Sequence, residues 1–168
     1  MAVTNENIEK GRETERMFKQ WLDNHKIPYL YIHQERETFS SFFRESLKGK
    51  RPDFMLLIPY FGFIFVDVKY KQISNNQNYY AIDTQDAKKY SSLQRIFNIN
   101  TWFVISNEKM GYKTWLWIPV SKVLECGATT KISSRSGQLF FPIPTYNFIQ
   151  VAEDDSLSRL FSKLFGES

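Results

Sequence analysis

Apolar residues recur at helical intervals in two parts of the chain. Between residues 5 and 25 an inward stripe advances by steps of three and four, which predicts an amphipathic first helix. The stripe consists of Ile8, Gly11, Glu15, Phe18 and Leu22. Residues 84–97 show the same period and predict a second helix, with Ala87, Tyr90, Leu93 and Phe97 facing inward. Acidic and serine caps at 154–156 precede a further apolar pattern that predicts a terminal helix.

The other apolar runs are typical of strands. Residues 29–39 suit a first strand, and residues 53–58 and 63–70 predict an antiparallel hairpin near the sheet centre. Residues 101–106 and 115–118 predict two more strands. Because a helix separates the hairpin from the strand at 101–106, that strand returns to the same sheet by a crossover. We therefore expect an α/β fold with a mixed sheet (an α+β arrangement) of about five strands, flanked by helices. Residues 127–150 fit either irregular structure or peripheral strands.

Length and composition favour one intracellular domain. The 168 residues, 42% hydrophobic and 17% aromatic, suffice for one core, which we place at about 5–120 with a C-terminal extension at 121–168. Cys126 has only His25 and His33 to help it, which argues against a disulfide framework or a thiolate zinc site. No secretory signal pattern opens the chain, and the uncharged run at 54–66 is shorter than the roughly 20 residues that span a bilayer. We expect a cytoplasmic protein without a membrane partner.

The positive charge is concentrated in one region. The formal net charge is +4, and residues 44–95 hold nine Lys or Arg against five Asp or Glu, which accounts for the whole excess. A polyanionic partner explains this placement, and so does an ordinary solvated, lysine-rich surface.

Three carboxylates stand where apolar residues are expected. Glu15 lies on the inward stripe of the first helix, and Asp67 shares one strand face with Phe63, Phe65 and Lys69. If the hairpin turns at Tyr60, Asp53 lies opposite Asp67. Facing carboxylates destabilise a sheet, and a divalent cation removes the conflict. The alternatives to a cation site are a shifted hairpin register, an exposed Glu15, or a structural ion pair between Asp67 and Lys69.

The residues RPDF at 51–54 and DVK at 67–69 resemble the motif of the PD-(D/E)XK nuclease superfamily, which has a restriction-endonuclease-like fold. The segment KGRETER at 10–16 resembles the first-helix signature of archaeal-type Holliday junction resolvases. The resemblance covers residues 5–105 and implies the element order αβββαβ. It also implies a hydrolase, a Mg²⁺-dependent deoxyribonuclease that acts as an endonuclease on branched or duplex DNA.

The same resemblance implies roles for individual residues. Glu15, Asp53, Asp67 and Lys69 would be catalytic. Glu15, Asp53, Asp67 and the carbonyl of Val68 would bind Mg²⁺ or Mn²⁺, and Lys69 would position or activate the attacking water. The nucleic-acid contacts would come from Lys48, Lys50, Arg51, Lys71, Gln85 and Lys88.

Two other functions fit the sequence. One is an inactive nuclease-fold module that binds nucleic acid or protein, although none of the four catalytic positions is substituted. The other is a binding protein of unrelated α/β fold with an ordinary ion-pair network. For an active enzyme the substrate stays open among junction resolution, restriction-like or transposon-end cutting, and repair or defence. Cutting two strands requires two sites and favours a homodimer.

Overall fold

The computed structural model describes residues 5–33, 40, 50–73, 78–127 and 129–162. Four α-helices lie within these ranges: α1 (Asn5–Asn24), α2 (Thr84–Phe97), α3 (Val120–Cys126) and α4 (Arg159–Ser162). The same ranges contain nine strands: β1 (Tyr29–Tyr31), β2 (Phe54–Ile58), β3 (Gly62–Tyr70), β4 (Tyr79–Asp83), β5 (Thr101–Ser106), β6 (Trp115–Pro119), β7 (Lys131–Ile132), β8 (Leu139–Pro144) and β9 (Ile149–Val151). The structure confirms the predicted first and second helices, the hairpin and the two later strands.

The main sheet is mixed, as predicted, and has six strands in the order β1-β2-β3-β5-β6-β9. Strands β3 and β5 are parallel, whereas the other neighbouring pairs are antiparallel. The expected number of about five strands was too low because β9, from the segment left undecided, adds to the edge beside β6. The parallel pairing of β3 and β5 places the ends of both strands, Tyr70 and Ser106, at the same edge.

The two faces of the main sheet carry separate cores. On one face α1 packs Phe18, Trp21 and Leu22 against a cluster that contains Trp115 and Trp117. On the other face α2 and α3 cover a second cluster. Alternate residues of β3 divide between them, because Ile64, Val66 and Val68 join the α1 cluster whereas Phe65 packs on the α2 cluster. The predicted alternation of β3 is therefore confirmed.

The inward stripe of α1 was predicted partly wrongly. Its buried residues are Thr14, Phe18, Trp21 and Leu22, whereas Ile8 is 41% exposed. The first two turns extend beyond the apolar cluster, so only the C-terminal half of the helix is held by packing. Phe97, also predicted to face inward, is 44% exposed because it ends α2 beyond the core.

A second, three-stranded sheet has the order β4-β8-β7. The undecided segment 127–150 supplies β7 and β8, and β8 pairs antiparallel with the whole of β4. Because β4 leads directly into α2, this small sheet lies beside the start of that helix. The predicted first strand at 29–39 is shorter than expected, since β1 ends at Tyr31 and residues 34–39 lie outside the described residues. In the described part of the chain, no helix combines the length and apolar character that crossing a bilayer requires.

Candidate active site

The hairpin register brings Asp53 and Asp67 to the same end of β2. The paired residues run from Ile58↔Gly62 to Phe54↔Val66, and the numbers in each pair sum to 120, as predicted. Regular pairing stops there, because the Asp53 backbone N–H donates to the Val66 carbonyl at 2.9 Å. Asp53 and Asp67 are thus the next residues beyond the last pair, and both are buried, with 8% and 2% exposure.

The Asp53 carboxylate is an unfavourable charge in its surroundings. Burial, followed by the nearby charges of Asp67 and Glu15, raises the pKa of Asp53 well above its usual value. The Val68 backbone N–H, which donates to Asp53 Oδ2 at 2.7 Å, and the ammonium of Lys69 oppose this shift but do not cancel it. A nearby cation therefore stabilises the ionised form of this carboxylate.

Asp67 is held by two partners with different chemistry. The Tyr90 hydroxyl donates to Asp67 Oδ1 at 2.5 Å. Lys69 Nζ lies 2.7 Å from Asp67 Oδ2 as an ion pair, although this buried oxygen receives no well-aligned hydrogen bond. Burial and the Asp67 charge together raise the pKa of Tyr90 well above its usual value, which keeps the hydroxyl a donor.

Lys69 is also tied to α2. Its Nζ lies 3.0 Å from Asp86 Oδ2, and the same oxygen binds Lys50 Nζ. Burial disfavours the charge of Lys69, but Asp67 and Asp86 outweigh that cost and raise its pKa. The pKa of Asp86 is raised by burial, yet Lys69 and Lys50 together lower it. The chain Asp67, Lys69, Asp86, Lys50 therefore alternates in charge from the sheet to the helix.

Glu15 approaches this group from α1. Its Oε2 accepts a hydrogen bond from the Tyr31 hydroxyl at 3.0 Å. Burial raises the pKa of Glu15, the Tyr31 bond lowers it, and Asp67 raises it further. Burial and Glu15 in turn raise the pKa of Tyr31 to about 12. The structure thus brings all four predicted catalytic residues into one electrostatic group.

The side chains of this group can be compared with the ligands that a metal ion requires. Across the described ranges, no three or more His, Cys, Asp or Glu side chains are arranged so that they could hold a metal ion. A pair of carboxylates satisfies Mg²⁺, which is commonly bound by one or two carboxylates and keeps several waters. The buried Asp67 Oδ2 without an aligned hydrogen bond and the raised pKa of Asp53 both fit such an ion. Metal binding by Glu15, Asp53, Asp67 and the Val68 carbonyl stays a prediction.

The predicted nucleic-acid contacts fall in different places. Lys50 pairs with Asp86, and Lys71 follows the end of β3. The Arg51 carbonyl lies 2.8 Å from the Tyr90 oxygen and competes with Asp67 for its one hydroxyl proton. Gln85 and Lys88 are exposed on α2, and Lys48 lies outside the described residues. Lys50 is therefore part of the charged group that contains Asp67, Lys69 and Asp86 rather than a separate surface cation.

Sequence reasoning missed Asp86, and it treated Tyr90 and Tyr31 only as packing residues. A signal for the first two existed: Asp86 and Tyr90 are four residues apart and share a face of α2, the helix that follows the strand of Asp67. Asp83 caps this helix through bonds from the N–H groups of Gln85 and Asp86, which fixes the first turn and with it the Asp86 carboxylate. Nothing in the sequence around Tyr31 indicated its bond to Glu15.

The element order and the strand order together decide the fold. From α1 to β5 the chain follows αβββαβ, with β4 inserted before α2. The fold is α/β, with a mixed six-stranded main sheet flanked by helices. No protein-family model and no curated protein sequence matches the chain.

The solved structures that are similar to it include three nucleases. A Holliday junction resolvase from the archaeal hyperthermophile Archaeoglobus fulgidus has a TM-score of 0.47 at 11% identity and covers 79% of this chain and 88% of its own. A nuclease from a fusselovirus has a TM-score of 0.44 at 15% identity and covers 95% of this chain and 90% of its own. A bacterial homing endonuclease has a TM-score of 0.43 at 14% identity and covers 88% and 76%.

Proposed function

We propose that this protein is a metal-dependent endonuclease that hydrolyses phosphodiester bonds of DNA, with Asp53, Asp67 and Lys69 at its centre. The observation that carries the proposal is the pair of buried carboxylates beyond the last hairpin pair, with an ammonium 2.7 Å from one of them. Such groups cost stability in the absence of a cation, and perturbed groups of this kind cluster at functional sites. The proposal draws on the resemblance of the motif and on this geometry.

In the proposed site, Asp53 and Asp67 hold one Mg²⁺ or Mn²⁺, and Glu15 with the Val68 carbonyl completes the ligand set. When bound, such an ion polarises a phosphoryl oxygen and lowers the pKa of a bound water. The Val68 N–H keeps Asp53 oriented, and the Tyr90 hydroxyl keeps Asp67 oriented. Both aspartates therefore present fixed oxygens to the ion rather than rotating freely.

Lys69 acts on the phosphate itself. Its raised pKa keeps it cationic at neutral pH, so it donates hydrogen bonds and stabilises the negative charge that develops on the phosphoryl oxygens. Asp86 holds the ammonium at a second point and fixes its direction. A permanently charged Lys69 serves this role better than the role of a general base, which would have to lose its proton.

Cleavage assays on purified protein test the proposal. Wild-type protein incubated with Mg²⁺ or Mn²⁺ should cut at least one member of a panel of branched, nicked, linear duplex and single-stranded DNA. Asp53→Ala and Lys69→Ala should abolish cutting, whereas Lys122→Ala should cut like wild type. Lys122 is the matched control because it is an exposed lysine already paired with Glu125. Cutting by Asp53→Ala at the wild-type rate, or cutting by wild type in EDTA, would contradict the assigned roles.

The panel also separates the alternative. A nuclease-fold protein that only binds nucleic acid would bind one of these DNAs but leave all of them intact in Mg²⁺ and Mn²⁺. A size measurement of the protein bound to a branched or duplex substrate would test the expected homodimer, since two sites are needed to cut two strands.

A further inference from the structure

A pocket of about 140 Å³ lies between Lys71, which follows the end of β3, and the small sheet. Its lining includes Ser133, Ser136 and Gln138 of the turn between β7 and β8. The turn belongs to the segment whose role the sequence left undecided.

Lys71 brings a positive charge to this pocket. It comes two residues after Lys69, about 6 to 7 Å farther along an extended chain. Asn107 Nδ2 donates to the Lys71 carbonyl at 2.7 Å and fixes the backbone there. Burial, and then Lys69, lowers the pKa of Lys71. Within the described chain no ion pair includes Lys71, so its half-buried ammonium is available to an anion.

The turn that shares this pocket with Lys71 is held by its own hydrogen bonds and contains hydrogen-bond donors. Ser133 Oγ accepts the Ser136 N–H and Ser136 Oγ accepts the Gln138 N–H, both at 3.3 Å. The Gly137 N–H donates to the Ser133 carbonyl at 2.8 Å, and Gly137 has a φ of 67°, which favours glycine. Because both hydroxyl oxygens accept these bonds, both hydroxyl protons are left to donate elsewhere.

One acidic side chain also borders the pocket. Asp83 Oδ1 accepts the N–H groups of Gln85 and Asp86 at 2.7 and 3.0 Å. This carboxylate sits at the N-terminus of α2, where the helix dipole offsets negative charge. The pocket therefore contains one cationic and one acidic side chain, and the acidic one is already bound to the first turn of α2.

We propose that this pocket binds a backbone phosphate of the DNA strand next to the phosphate at the catalytic group. An ammonium, two hydroxyls and an amide match the charge and the several acceptor oxygens of a phosphate diester. A single nucleotide of the DNA strand can span the distance from Lys69 to Lys71 along the protein chain. The site positions the strand without reading its bases, and it rests on the proposed function above.

DNA binding measured in EDTA tests this pocket apart from cleavage. A fluorescently labelled DNA that wild type binds is titrated with protein at several salt concentrations, with anisotropy as the readout. Ser136→Glu should weaken binding by about tenfold, because it puts a negative charge where the phosphate lies. Lys71→Gln should weaken it by about fivefold to tenfold and reduce the slope of log K against log salt by about 0.9, the value for one lost phosphate contact.

Two matched variants serve as controls. Ser158→Glu adds the same charge at an exposed serine near α4, and Lys122→Gln removes the same charge from α3. Both should bind like wild type. Ser136→Ala, which only deletes a donor, should weaken binding by about twofold to fivefold and provides the test if Ser136→Glu does not fold.

The outcomes separate the pocket from the proposed function. If wild type binds and cuts DNA while the Ser136 variants bind equally well, the pocket is refuted and the nuclease proposal stands. If Lys71→Gln alone weakens binding, Lys71 is a general surface cation and the pocket is again refuted. If wild type neither binds nor cuts any DNA of the panel, the proposed function fails and the pocket proposal fails with it.

Discussion

Replacing Asp53 with asparagine tests the electrostatic reasoning most directly. The Asp53 carboxylate is 8% exposed, and its pKa is raised by burial, by Asp67 and by Glu15. The Asp53→Asn amide oxygen can still accept the Val68 N–H, so the substitution removes the charge and keeps the hydrogen bond. Without metal, Asp53→Asn should therefore be more stable than wild type at pH 7.

The raised pKa of Asp53 determines the sign of this change in stability. A raised carboxylate pKa means that the folded state holds its proton at a pH where the unfolded chain has lost it. Stability therefore falls as pH rises through the window between the ordinary value of 3.8 and the raised value. Replacing a buried ionised group by a neutral one of similar shape is commonly stabilising by about 1–4 kcal/mol, and we expect a gain on the order of 1–3 kcal/mol. At about 2–4 °C per kcal/mol for a chain of this size, the melting temperature should rise by about 2–12 °C.

Thermal unfolding in EDTA and in Mg²⁺ measures both halves of the argument. In EDTA the advantage of Asp53→Asn should be present at pH 7 and disappear at low pH, where wild-type Asp53 is protonated. With Mg²⁺ at a hundred times its Kd, wild type should gain about 2.7 kcal/mol, and Asp53→Asn should gain much less. Asp154→Asn, at an exposed aspartate, is the control and should behave like wild type throughout. Equal stability of Asp53→Asn and wild type in EDTA, or equal stabilisation of both by Mg²⁺, would refute the reasoning.

Three further substitutions test the neighbours of this carboxylate. Lys69→Gln should lower the cleavage rate at least about a hundredfold, because it removes a charge that stabilises the phosphoryl transition state; a rate within tenfold of wild type on a gel assay would argue against that role. Tyr90→Phe deletes the bond to Asp67 Oδ1 and should weaken Mg²⁺ binding by about 10–100-fold in calorimetry. An unchanged affinity for Mg²⁺ would show that Tyr90 contributes only to packing. Asp86→Asn leaves Lys50 beside Lys69 with no carboxylate between them and should lower the free energy of unfolding by about 1–3 kcal/mol at neutral pH. Because folding lowers the pKa of Asp86, the difference in unfolding free energy between wild type and Asp86→Asn should vanish in acid. Denaturant titrations at neutral and at acid pH measure this difference, and an equal difference at both pH values would contradict the role of Asp86.

Much of the fold could be predicted because it rests on local patterns. The helical period of residues 84–97 gave α2 its bounds, and the short turn between two apolar runs gave the hairpin its register. Strand alternation then placed Asp67 and Lys69 on one face, and the structure shows that this face contacts α2. These features involve residues close together in the chain, so neighbouring side chains and the turn geometry determine them.

Other features could not be predicted because they depend on distant parts of the chain. The pairing of β4 with β8 joins Tyr79 to Pro144, and the addition of β9 beside β6 joins Val151 to Trp115. Strands β8 and β9 are short, and no periodicity in segment 127–150 indicated which strands they would pair with. The exposure of Ile8 likewise depends on where the apolar cluster under α1 ends.

The sequence by itself determined which residues share a strand face and a helix face, and so which acids and which lysine could form a site. Only the tertiary structure decided how that site is held. The angle at which α2 returns over the sheet brings Tyr90 to Asp67 and Asp86 to Lys69, and the small sheet closes a pocket against Lys71. Contacts of this kind depend on the packing of separate elements, which periodicity along the chain does not encode.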